Sequence, residues 1–100
     1  MDKKLFQKIT AWQENTFVNA TAHSKACHLR EKVEELINDM ETDNKDRRLE
    51  FADCFMLSYG AAKTDGMTYE DIGRAVEEKM RINKARKWGK PDSNGVVKHI

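Results

Sequence analysis

His28-Leu29-Arg30-Glu31-Lys32-Val33-Glu34-Glu35-Leu36 and, after a short polar break, Leu49-Glu50-Phe51-Ala52-Asp53 decide how this chain is read. Glu31 and Glu35 are four apart and Glu50 and Asp53 three apart, so each pair projects from one face of its own helix. Where the two helices lie antiparallel, the pairs face each other. Carboxylates converging in this way repel unless a cation sits among them, and Mg²⁺ or Mn²⁺ is the usual partner of an all-oxygen cluster. The stretch is therefore a candidate metal site.

Outward from it the pattern is helical throughout. Leu5, Phe6, Ile9 and Trp12 predict a short amphipathic helix over residues 3–14, and the Asn- and Thr-rich residues 15–21 a loop, with Asn19 or Thr21 capping the next helix. That second helix spans about Ala22 to Met40, with Ala26, Leu29, Val33, Leu36, Ile37 and Met40 as its packing stripe and His28, Glu31, Lys32, Glu35 and Asp39 gathered on one flank. Residues 41–46 form a polar helix–helix connection. The third helix, about Asp46 to Lys63, is apolar around much of its circumference and is expected to be the most buried element, ended by Asp65-Gly66. Thr68-x-x-Asp71 is a variant capping box opening a fourth helix, about Tyr69 to Trp88, with Ile72, Ala75, Val76 and Met80 inward. Pro91 to Gly95 mark a turn before a short tail.

One hundred residues fit one domain, 1–100, with a modest core. A net charge of +1, with 35% charged residues, gives no global field for nucleic acid or an anionic membrane. No apolar run is long enough for a signal peptide or a membrane span, so the expected compartment is the cytoplasm. Cys27 and Cys54 lack CxxC spacing and read as reduced, buried thiols.

Each constellation has a plain alternative. The glutamates of the second helix suit a solvated face, whereas Glu50 and Asp53 sit on a mostly apolar helix, where a carboxylate needs a cation or a hydrogen-bond partner. Lys79, Asn83 and Arg86 share a face, followed by Lys87 and Trp88. They suit either a helix C-terminus or phosphate binding. Trp12 and Phe17 suit the core or the stacking of a base. His23 and Cys27 are four apart, yet no second pair has zinc-ligand spacing.

Taken together, Trp12-Gln13-x-x-Thr16-Phe17, Ala20-Thr21-Ala22-His23-Ser24-Lys25, His28-Leu29, Glu35-Leu36, Glu50-Phe51-Ala52-Asp53, Lys79-x-x-x-Asn83-x-x-Arg86-Lys87-Trp88 and Gly95-Val96-Val97-x-His99 resemble the MazG-like all-α NTP pyrophosphohydrolases. Within that family the pattern is similar to the dATP/dGTP diphosphohydrolase branch of phages and bacteria. The resemblance implies an all-α, four-helix fold completed by oligomerisation into a homodimer or homotetramer. The implied reaction is hydrolysis of a purine deoxynucleoside triphosphate to the monophosphate and pyrophosphate with Mg²⁺ or Mn²⁺. It assigns Glu35, Glu50 and Asp53 to catalysis and Glu31, Glu35, Glu50 and Asp53 to metal. Trp12, Lys79, Asn83, Arg86 and Trp88 are assigned to substrate. Nucleic acid and membrane are not expected partners.

The chain departs from the family at one position. The helix-two motif reads Leu-x-Glu-Glu-x-x-Glu-Leu, and Lys32 stands where its second glutamate belongs. A charged lysine has no lone pair for a metal. Either Glu31 or Glu34 supplies the oxygen, the site binds fewer metals, or activity is lost. The competing functions are a catalytically silent nucleotide- or partner-binding module and a nucleic-acid binder using Arg81 to Lys90. Against the latter stand the near-neutral charge and the lack of helix-turn-helix spacing.

Overall fold

The computed structural model describes residues 1–42 and 46–100. Four helices follow one another, α1 (Lys3–Thr16), α2 (Ala22–Glu41), α3 (Arg48–Thr64) and α4 (Tyr69–Ala85), and no strand is present among the described residues. The polar connection expected at 41–46 lies partly outside them. The chain divides into two compact units, Met1–Tyr69 and Glu70–Ile100.

In the first unit each helix boundary has a local cause. Asp2 caps α1, its Oδ1 accepting from the Leu5 N–H at 2.8 Å. Thr21 and Ser24 form a reciprocal capping box at the start of α2, with bonds of 2.9 and 3.0 Å, which settles the cap on Thr21 rather than Asn19. α3 carries Glu50 in its first turn and Lys63 in its last, both favourable to the helix dipole. It closes where the Met67 N–H donates to the Ala62 carbonyl and the Gly66 N–H to that of Lys63, a Schellman closure that needs the left-handed φ of +104° that Gly66 supplies.

α3 packs on both α2 and α1. The core between them is small: Phe6, Leu36 and Leu57 are the buried apolar side chains, and Phe6 meets Tyr59 edge-on at 6.1 Å and Tyr69 at 5.5 Å. Gln13 is 1% exposed, and its Nε2 donates to the Met56 carbonyl at 2.8 Å, tying α1 to α3. Gly60 allows that approach, since a Cβ there would come within 1.9 Å of Gln13 Oε1. Buried Lys25 donates from Nζ to Thr64 Oγ1 at 2.7 Å.

Burial departs from the sequence expectation. α3 has apolar residues nearly all round, but Leu49, Phe51 and Phe55 are exposed, as are Val33, Ile37 and Met40 of the α2 stripe. Three helices cannot enclose a helix that is apolar around most of its circumference. Cys27 and Cys54 are free and half-buried.

The second unit holds α4 from Glu70 onward and the residues after it. Val76 and Met80, expected inward, are exposed, and Ile72 is half-buried. α4 ends at Ala85 instead of running to Trp88 because the chain returns on itself. The Gly89 N–H donates to Lys98, the Ile100 N–H donates to Lys87, and Trp88 and His99 form an isolated antiparallel bridge. Asp92 Oδ1 accepts from the Asn94 and Val96 N–H groups and fixes the turn.

Candidate active site

Glu50 is the centre of the carboxylate cluster. Its Oε2 is buried and unpartnered. The carboxyl is held above the ordinary glutamate range, first by hydrogen bonding to the Asp39 carboxyl, then by burial and by the charges of Asp39 and Glu35, with Arg47 opposing. A hydrogen bond between two carboxyls exists only while one is protonated. With both ionised, Glu50 has like charges for neighbours, the arrangement that pushes a carboxyl up and that a cation relieves.

The sequence pairs Glu50 with Glu31, Glu35 and Asp53. Glu35 is among the charges acting on Glu50, whereas Glu31, one turn earlier, is exposed and is not among those acting on it. Asp39, outside that set, is the largest influence on the Glu50 carboxyl. Its signal is present in the sequence, because Asp39 lies four residues after Glu35 on the same flank of α2.

Asp53 lies one turn along α3 from Glu50, and both charges help burial raise the neighbouring Cys54 thiol, against the opposing charge of Lys32. Lys32 Nζ is 3.4 Å from Glu35 Oε2. The carboxylates do not stand in a ready-made coordination shell, and no group of three or more His, Cys, Asp or Glu side chains is gathered around one point among the described residues. The donor set nonetheless fits a hard divalent cation: it is all oxygen, drawn from two packed helices, and contains an orphaned buried carboxylate oxygen. His23 and Cys27 are in contact at 3.8 Å, and no second ligand pair joins them among the described residues.

Beside the cluster is a cavity of about 230 Å³. Trp12 and Phe17 wall one part of it, edge to face with ring centroids 5.5 Å apart, and Phe17 meets the His28 ring at 6.0 Å. Met56 and Leu57 add apolar surface, and Lys32 and Asp53 bring both signs of charge. Trp12 is 52% exposed and lines the cavity, so it is no core side chain.

Lys79, Asn83, Arg86 and Trp88 all belong to the second unit. The Trp88 indole N–H donates to the Asn83 carbonyl at 2.8 Å, so these two positions of the Lys79-to-Trp88 run are fixed to each other. Asn83 Oδ1 is buried and unpartnered.

A solved structure from cyanophage S-2L, a MazG-like pyrophosphohydrolase bound to dGDP and three catalytic Mn²⁺ ions per active site, superposes with a TM-score of 0.78. It is 29% identical, with 97% of this chain and 94% of that one covered. The dATP/dGTP diphosphohydrolase of cyanophage S-2L is 31% identical over 97 residues, which span 97% of this chain and 86% of the relative. Residues 5–100 match the dATP/dGTP pyrophosphohydrolase family. The chain belongs to that family and is a nucleoside triphosphate pyrophosphohydrolase.

Proposed function

We propose that the chain hydrolyses a purine deoxynucleoside triphosphate, dATP or dGTP, to the monophosphate and pyrophosphate, with Glu35, Asp39, Glu50 and Asp53 forming the Mg²⁺ or Mn²⁺ centre. The observation that carries this reading is the buried, unpartnered Oε2 of Glu50 among like charges. We leave Glu31 out of this set because it is not among the charges acting on Glu50, and Lys32 pairs with Glu35.

When bound there, a divalent ion neutralises polyphosphate charge and acidifies water. The chain's own groups do the rest. Trp12 and Phe17, at the wall of the cavity, offer a stacking platform to the base. His28 at the cavity edge supplies a polar ring to the base or sugar. A carboxylate of the cluster accepts the proton of the attacking water, and Glu35, exposed beside Lys32, is open to that water. In the second unit, Lys79 and Arg86 are donors suited to phosphate oxygens, with Asn83 and Trp88 holding the end of the run in shape.

The whole chain acts as one domain in this reading, and two or more copies assemble, since the small core and the exposed apolar residues of α2 and α3 suit a partner helix face. No helix of the described residues is long and apolar enough to cross a membrane. With two unpaired cysteines and a nucleotide substrate, the cytoplasm is the compartment we assign.

Incubation with a panel of NTPs and dNTPs plus Mn²⁺ or Mg²⁺ tests the proposal. Pyrophosphate and monophosphate are expected from dATP or dGTP. Orthophosphate without pyrophosphate would overturn the reaction class, and equal turnover of pyrimidine substrates would overturn the purine assignment.

A further inference from the structure

We propose that the Lys32 ammonium is a resident cation of the carboxylate cluster, taking the place of one divalent ion, so that this chain binds one fewer Mn²⁺ than the three per site of the cyanophage structure. The inference rests on the metal-centre reading and adds a count to it.

Lys32 is placed to do this. Its Nζ is 3.4 Å from Glu35 Oε2 on its own helix, and its side chain is the less exposed partner, 31% against 59%. It lines the cavity together with Asp53 of α3, so the ammonium shares that cavity with a carboxylate of the second helix. Its charge reaches as far as Cys54, the residue after Asp53. An ammonium has three donors and no lone pair, so it satisfies carboxylate oxygens without offering a ligand to a metal. It also repels a divalent ion brought to the same oxygens, a repulsion that solvent screens only in part. The carboxylate oxygens of Glu35, Asp39, Glu50 and Asp53 that Lys32 does not engage are left for divalent ions.

Counting bound Mn²⁺ decides the matter without measuring turnover. The protein is dialysed against Mn²⁺ with saturating dGDP and the bound metal per chain is determined. Wild type is expected to hold one fewer ion than the relative, and Lys32→Glu, which exchanges the cation for a ligand, to gain one. Three ions in wild type, or no gain in Lys32→Glu, overturns the proposal. If Lys32→Glu fails to fold, as judged by helical circular dichroism, Lys32→Gln decides. A several-fold lower Mn²⁺ concentration at half-saturation supports the proposal, and an unchanged or higher one overturns it. No bound Mn²⁺ in wild type would overturn the metal-centre reading itself, an outcome distinct from three ions, which removes only the role of Lys32.

Discussion

Glu50 sits where its charge is least welcome in the metal-free protein and most useful in the loaded one. Glu50→Gln keeps the volume and removes the charge from beside Asp39 and Glu35. The metal-free variant is therefore expected to melt at or above the wild-type temperature while losing about two orders of magnitude or more in turnover, because a ligand oxygen has lost its charge. A thermal melt in EDTA alongside a pyrophosphate assay checks both halves. Asp53→Asn should lose activity equally with its helical content intact. Asp39→Asn should likewise cost about two orders of magnitude, since it too removes a charged oxygen from the metal centre. Arg86→Ala is expected to raise KM or lower kcat with Mn²⁺ affinity unchanged, since its assigned partner is a phosphate oxygen. Unchanged kinetics would return Arg86 to the role of a cation at a helix C-terminus.

At the scale of elements, the contact between α1 and α3 sets the cavity. Gln13 both lines it and bonds to the Met56 carbonyl, with Gly60 opposite. Gly60→Ala forces the Gln13 amide to move in a packed site and should destabilise by about 1–3 kcal/mol, read from urea unfolding. Nearer the surface, Lys63 and Glu14 tie the same two helices, and the hydrogen bond from Lys63 holds the Glu14 carboxyl below its ordinary value. A lowered folded-state pKa stabilises above the unfolded pKa, and that stability is lost as pH falls through the folded value. Glu14→Gln should thus lower Tm slightly at pH 7 and leave it unchanged in acid, the effect being small because the pair is exposed. The helices themselves are legible in the sequence because their apolar spacing, the Thr21 cap and the Gly66 stop are local signals. The end of α4 is not. Trp88 pairs with His99 across a turn, and a local pattern does not encode which distant backbone groups meet. Asp39 is legible in spacing yet ranks no higher there than Glu31, since a helical wheel places residues on a flank without saying which of them the neighbouring helix approaches.

For the whole molecule, burial is the quantity that periodicity misjudges. It marks a residue as apolar on a face, but whether that face is covered by the same chain or by another is set by assembly. Val33, Ile37 and Met40 on α2 and Phe51 and Phe55 on α3 are exposed in the single chain. Phe55→Glu, at a position 58% exposed here, is therefore expected to convert a dimer or tetramer to monomer, read by light scattering on a sizing column. A wild type that is already monomeric would contradict the assembly. The central claim, that the α2 and α3 carboxylates hold the catalytic metal, has a direct test in anomalous diffraction from crystals grown with Mn²⁺ and dGDP. Mn²⁺ peaks are expected at coordination distance from Glu50 and Asp53, with Asp39 or Glu35 completing the shell. Peaks confined to other residues, with Glu50 Oε2 still unligated, would contradict it.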